Sequence, residues 1–206
     1  MKLEEEKTES KENKNKGNGA EYRSTKEFLI YLAKEYLPLI TIAAALALII
    51  NTFVIMRAEV TSGSMEDTVM TGEIVMAFRL SYLFSDPERG DVIIFPNPKD
   101  PDDDPYVKRI IGLPGETVEI VDGIVYINGR RLNEYGLNYM ILSDYGPYEV
   151  PEDSYFVLGD NRDSSYDSRK WPASKTYVSR EDVLAKVFWV LPFKNINKAG
   201  YSFELE

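Results

Sequence analysis

The 206-residue chain carries 24 basic and 34 acidic side chains for a net charge of −10, and it contains neither cysteine nor histidine. Lack of cysteine excludes a disulfide scaffold, thiolate metal sites and a thiol nucleophile, while an acidic balance argues against nucleic-acid binding, which needs clustered Lys and Arg. Lack of histidine excludes a Ser–His–Asp triad, a histidine base and the usual zinc-hydrolase ligand sets, so any hydrolytic base must come from Lys, Asp, Glu or Tyr.

Residues 1–27 are charged, polar and of low complexity (EEEKTESKENKNKGNG), which predicts a disordered tail. Residues 28–56 read as a membrane anchor. Their core, Tyr36 to Met56, is uncharged, with LITIAAALALII at its centre. At about 1.5 Å per residue it reaches roughly 31 Å, enough for a hydrocarbon layer of about 30 Å. A cleaved export signal would have a shorter apolar region, usually about 7–15 residues. Lys16, Arg23, Lys26 and Lys34 lie shortly before this run, whereas Arg57 is the one basic residue in the twenty after it. Basic flanks favour the cytoplasmic side, so the tail is expected there and residues 57–206 outside. Through Glu35 the eight basic and eight acidic residues cancel, leaving 16 against 26 and the whole −10 for the outer domain.

The outer domain reads as β-rich. Glu73–Phe78, Val92–Phe95, Val107–Ile111, Tyr155–Leu158 and Leu184–Leu191 are dense in Val, Ile and aromatics, with Gly or Pro nearby. Asp122-Gly123 stands between two apolar runs in VEIVDGIVYINGR, a two-residue hairpin signal, and Asn128-Gly129 marks the next turn. No long helical period follows Met56. Asn97–Pro105 (NPKDPDDDP) reads as a solvated surface loop, too irregular for a calcium loop. Leu80–Phe84 and Trp189–Phe193 are read as core-packed aromatic segments, with contact to lipid left open as the alternative.

Three segments suggest chemistry. In Ser62-Gly63-Ser64-Met65 a small residue between two hydroxyls lets backbone amides approach a ligand, although such a triplet is commonly only a turn. In Tyr106–Ile111 (YVKRII), strict alternation places Lys108 on one face with Tyr106 and Ile110, and Arg109 on the other. An outward strand lysine is the usual case, but one of the two basic residues should meet apolar surroundings, where burial lowers a lysine pKa. Arg109, facing away from Lys108, is then expected to be dispensable. Gly159–Arg169 (GDNRDSSYDSR) follows an apolar run and is either an ordinary polar loop or one whose Asp and Arg side chains satisfy one another.

Ser-Gly-Ser-Met, Arg89–Phe95 (RGDVIIF), Tyr106–Glu116 (YVKRIIGLPGE) and GDNRDSSYDSR, in this order behind an apolar span, resemble the motif blocks of bacterial type I signal peptidases. The resemblance covers most of residues 28–191. It implies a mainly β fold, an antiparallel-sheet catalytic domain shaped as a partly open β-barrel, behind one N-terminal transmembrane helix. It also implies a single-pass plasma-membrane enzyme of a bacterium that removes signal peptides from exported preproteins, cutting after small residues of the Ala-x-Ala type, with no cofactor or metal.

By the same resemblance Ser64 is the nucleophile, Lys108 the general base, and Ser62 with the Ser64 amide the oxyanion hole. Ser165 orients the lysine. Asp167 and Arg169 form a supporting ion pair, Asp160, Asn161, Arg162 and Asp163 shape their loop, and Val60, Met65, Val69 and Tyr106 line the substrate pockets. Two positions depart from the pattern: Thr61 and Asp67 stand where prolines are common, which bears on the rigidity of the binding strand. The alternative is a non-enzymatic membrane-anchored β-domain that binds extended peptides. A penicillin-recognising Ser–Lys enzyme does not fit, since no Ser-x-x-Lys occurs and Lys175-Thr176 is followed by Tyr177.

Overall fold

The structure is a computed structural model and describes residues 24–135, 137, 141–191 and 202–206. Two compact units divide the chain between Leu48 and Ile49. The first contains all but the last residue of the helix α1, Thr25–Ile49, opened by Ser24, whose Oγ accepts the Glu27 amide at 3.3 Å. A wider turn, Ile50–Val54, completes a segment long and apolar enough to cross a membrane over Thr25–Val54. The helix therefore starts inside the segment read as a polar tail; residues 1–23 lie outside the described residues. At its other end the apolar run overshoots, because Ile55 and Met56 belong to a strand. They pair with Phe78 and Ala77, and that tertiary pairing outweighs the continuity of the apolar run.

The second unit is built from antiparallel strands: β1 (Ile55–Glu59), β2 (Ile74–Phe78), β3 (Val92–Phe95), β4 (Tyr106–Gly112), β5 (Thr117–Val121), β6 (Ile124–Ile127), β7 (Arg130–Tyr135), β8 (Tyr145–Glu149), β9 (Ser154–Leu158), β10 (Val178–Ser179), β11 (Ala185–Leu191) and β12 (Ser202–Leu205). One sheet has the order β1-β2-β11-β3-β4-β9-β10 and the other β12-β7-β6-β5-β8. The larger sheet leaves β1 and β10 as edges, in keeping with a partly open barrel. All the apolar runs named from the sequence are strands, and both hairpin signals hold. Asp122 and Gly123 have φ of 50° and 79°, Asn128 and Gly129 52° and 75°, the left-handed pair that a two-residue hairpin turn requires.

Leu83 and Phe84 are an exception to the expected core packing: both are exposed, while Tyr82 turns inward against Ile93, Phe95 and their neighbours. Trp189 is half-buried in β11, and residues 192–193 lie outside the described residues.

Strand β4 lies between β3 and β9 and is buried on both faces, so Lys108 and Arg109 are both enclosed. Arg109 does not face outward. Its Nε and Nη2 donate to the two Asp160 oxygens at 2.8 and 2.6 Å, and its Nη1 to Gly90 O at 2.6 Å. Removing one partner of such a pair strands a charge out of water, typically at about 3–5 kcal/mol, whereas exposed pairs contribute about 0–1 kcal/mol. Arg109→Ala is therefore expected to lower the thermal unfolding midpoint of the detergent-solubilised chain strongly. Arg180→Ala, which breaks the exposed pair with Asp86, should barely move it. Equal midpoints for the two variants would contradict this ranking.

Candidate active site

Chain leaving β1 runs extended through Ser62 (φ −134°, ψ 153°) and closes into a single 3-10 turn, Gly63–Met65. In the first turn of a helix the amides have no carbonyl within the turn to bond, so the Ser64 N–H is left for another acceptor. Ser64 is buried, and its Oγ lies 3.3 Å from the Ser62 hydroxyl. Strand β4 brings Lys108 to the same point. Its Nζ is 2.7 Å from Ser64 Oγ and 3.0 Å from Val107 O, with the Tyr106 ring centroid at 5.1 Å.

Lys108 is 3% exposed. Burial lowers its pKa from 10.5 to about 8, against a smaller opposing pull from Asp167 and Asp160. Both carboxylates are occupied elsewhere. Burial alone would raise the pKa of Asp160, but Arg109 foremost, with Thr68 Oγ1 donating at 2.5 Å, holds it below the usual carboxylate range. Asp167 accepts Nε and Nη2 of Arg169, both at 2.7 Å, together with the Gly159 amide at 3.0 Å.

The loop after β9 is bolted to the serine turn. The Asn161 amide donates to Ser64 O at 3.1 Å and its Nδ2 to Gly63 O at 3.0 Å. The approach is so close that a Cβ on Gly159 would sit 2.2 Å from Ser165 Oγ and 2.4 Å from Ser64 O, so only glycine fits there. Arg162 donates through Nε to Gly159 O at 3.0 Å and forms a forked pair with Glu134 of β7, at 2.7 and 2.5 Å, tying the loop to the smaller sheet. Arg169 reaches Arg162 O at 2.7 Å.

Of the residues singled out from the sequence, Ser62, Ser64, Met65, Val60, Tyr106 and Lys108 line one cleft of about 560 Å³. Asn161 is on its wall, and Asp160, Arg162, Asp167 and Arg169 form the buried frame behind it. Asp163 is exposed, and its carbonyl accepts Lys170 Nζ at 3.2 Å. Ser165 sits against the serine turn but makes no hydrogen bond to Lys108; its Oγ is buried without a hydrogen-bond partner among the described residues. Val69 is fully buried beside Val60 and Met65 and does not line the cleft.

Sequence reasoning missed Thr68, which anchors Asp160, and Glu134, 28 residues from the arginine it holds. Nothing local marks either one. It also missed that the acidic loop borders the cleft, through Asn97, Asp103 and Asp104. There Asn97 is buried and orders the turn, accepting the Lys99 amide at 2.9 Å and donating to Asp103 at 3.2 Å.

Comparison with known proteins points the same way. A family model described as signal peptidase, peptidase S26, matches residues 33–192. A probable signal peptidase I-2 of Synechocystis sp. is 41% identical over 158 residues, 73% of this chain and 70% of that protein. Signal peptidase I S of Bacillus subtilis strain 168 is 37% identical over 178 residues, 81% and 93% of the two chains. A crystal structure of a signal peptidase I from Enterococcus faecalis V583, 38% identical, aligns with 50% of this chain and 97% of its own at a TM-score of 0.43. The matched stretch runs from within α1 through β11 and takes in the serine turn, Lys108 and the loop that frames them, so the chain belongs to the signal peptidase family, peptidase S26.

Proposed function

We propose that Ser64 is the nucleophile and Lys108 the general base with which this membrane-bound signal peptidase cuts signal peptides from exported preproteins. One observation carries the assignment: a buried lysine amine lies 2.7 Å from a serine hydroxyl and has, among the described residues, no carboxylate as a hydrogen-bond partner. A neutral amine at that separation accepts the Ser64 proton as Oγ attacks the carbonyl carbon of the scissile bond. Negative charge then develops on the carbonyl oxygen, where the Ser64 N–H and the Ser62 hydroxyl are the donors. The ammonium returns its proton to the leaving amine as the C–N bond breaks, and the freed lysine next deprotonates water to release the acyl group. Asp160, Asn161, Arg162, Asp163, Ser165, Asp167 and Arg169 support this pair.

Substrate enters as an extended strand between Glu59–Ser62 and Asp104–Lys108, the two segments that face the cleft. Val60, Met65 and Tyr106 there, with Val69 behind them, leave room for small residues before the cut. Residues 57–206 are the extracytoplasmic catalytic domain, 28–56 the anchor and 1–27 a cytoplasmic tail. That orientation rests on the basic residues preceding the span.

Because the amine must lose its proton to act, kcat/KM on a preprotein should rise through an apparent pKa near the 8 set by burial. Lys108→Arg should be almost inactive at every pH, since a guanidinium stays charged. Substantial turnover by Lys108→Arg would refute the assignment.

Burial also carries a stability sign. Between about pH 8 and 10.5 the unfolded chain keeps a proton at Lys108 that the folded chain has released, so wild-type stability should climb with pH across that window. Below it the folded state bears the full cost of a buried ammonium, on the order of 3 kcal/mol. Lys108→Met is expected to unfold at higher temperature than wild type at pH 7 and to lose the climb between pH 8 and 10.5. A parallel climb in the variant would assign the titration to another group.

The oxyanion donors are tested at Ser62, which is exposed. Ser62→Ala should fold normally and lose roughly a hundred- to a thousandfold in kcat, with KM little changed. Unchanged kcat would remove Ser62 from the oxyanion hole.

A further inference from the structure

The turn that carries Ser64 brings a second charged group to the cleft. Glu66 follows the turn directly, and its amide donates to Gly63 O at 3.2 Å. Its side chain folds back over the same turn. A Cβ placed on Gly63 would lie 2.6 Å from Glu66 Oε1 and 3.0 Å from Oε2, so the carboxylate fills the space that a side chain at position 63 would need. Asn161 holds it there, donating through Nδ2 to Glu66 Oε2 at 3.3 Å and to Gly63 O at 3.0 Å. Glu66 is thus half-buried on the cleft wall, two residues from the nucleophile.

The protein does not answer this charge. A carboxylate has about four acceptor sites, yet among the described residues Asn161 alone donates to the Glu66 side chain, and no Lys or Arg pairs with it. The other charged residues lining the cleft are Glu59, Asp103, Asp104 and Lys108. Because Lys108 works as a neutral amine, a peptide in the cleft meets only negative charge. Position separates the carboxylates. Glu59 and Asp104 stand at the far ends of the two segments that flank the substrate before the cut, with Asp103 next to Asp104. Glu66 lies on the other side of Ser64, beside Asn161 and Ser164, where the chain beyond the cut must pass.

We propose that Glu66 reads the start of the released protein, so that preproteins with a basic side chain at the first or second residue after the cut are cleaved in preference to those with an acidic one there. An extended chain advances about 3.3 Å per residue, which keeps both positions within reach of a side chain two residues from Ser64. Discrimination of this kind works by repelling the wrong charge as much as by attracting the right one. The inference deepens the cleavage proposed for Ser64 and Lys108 and rests on it.

The full detergent-solubilised chain is given versions of one preprotein that carry Lys or Glu at the first residue after the cut, at the second, or at the fifth residue before it. In kcat/KM, wild type should favour the Lys version over the Glu version roughly tenfold at one or both positions after the cut. Glu66→Gln, which keeps an acceptor for Asn161, should bring that ratio close to one, and Glu66→Lys should invert it. At the fifth residue before the cut, wild type and both variants should give the same ratio. The proposal is overturned if wild type and Glu66→Gln share one ratio after the cut, or if the substitution changes only the ratio before it. A Glu66→Gln variant that is slower on every version with the wild-type ratio kept also overturns it, and assigns Glu66 to holding the turn alone. If wild type cleaves no version, the proposed function falls and this inference with it.

Discussion

Lys108 keeps its amine out of water with, among the described residues, only the Ser64 hydroxyl and its neighbouring carbonyl as hydrogen-bond partners. That state survives only if nearby carboxylates are prevented from recharging it. Asp160 and Asp167 both pull its pKa upward, yet burial prevails. The reason is visible in their partners: Arg109 forks onto Asp160 and Arg169 onto Asp167. A paired charge acts at a distance as a dipole, whose field falls off faster than that of a lone carboxylate, and the lysine feels the difference. Four buried ionic side chains thus surround a fifth whose charge burial disfavours.

Buried ion pairs of this kind add little net stability, because desolvation consumes most of their attraction. Their effect here is positional. Each fixes a backbone or side-chain group at the serine turn or behind it: Asp160 takes Thr68, Asp167 takes the Gly159 amide, Arg162 takes Gly159 O and Arg169 takes Arg162 O. The loop so braced presents Asn161 to Ser64 O and Gly63 O, and the turn cannot drift from β4 without breaking those bonds. Arg162 and Glu134 extend the bracing to the smaller sheet, tying β7 to the loop that holds the serine turn.

Much of this was legible in the chain because it depends on local pattern. Val92–Phe95 and Tyr155–Leu158 are continuous apolar runs, as strands covered on both faces must be, and Asp-Gly and Asn-Gly mark turns that few other residue pairs can make. Strands β7, β8 and β10 escaped notice for equally physical reasons. RRLNEY is polar, YGPYE carries Gly and Pro, and β10 is two residues long, so pairing partners rather than propensity define them. Alternation placed Lys108 and Arg109 on opposite faces, but it could not tell that both faces of β4 are covered. Exposure of Phe84 was equally hidden, since hydrophobicity alone predicts burial and only the fixed turn at Tyr82 turns its neighbours outward.

The turn after Ser64 shows how one substitution changes the source of rigidity. Asp67 stands where the family resemblance leads one to expect a proline, and its φ is 72°, a value closed to proline, whose ring holds φ near −65°. Aspartate is among the few residues that tolerate the left-handed region at modest cost. The turn therefore cannot owe its shape to a locked ring. Met65 O instead accepts the amides of both Thr68 and Val69, at 3.0 and 2.7 Å, and Thr68, fully buried, passes its hydroxyl to Asp160. Asp160 in turn is held by Arg109 from the strand that carries Lys108. The stiffness that a proline supplies locally is drawn here from β4, so Ser64 and Lys108 are aligned by one shared chain of bonds running from Arg109 through Asp160 to Thr68.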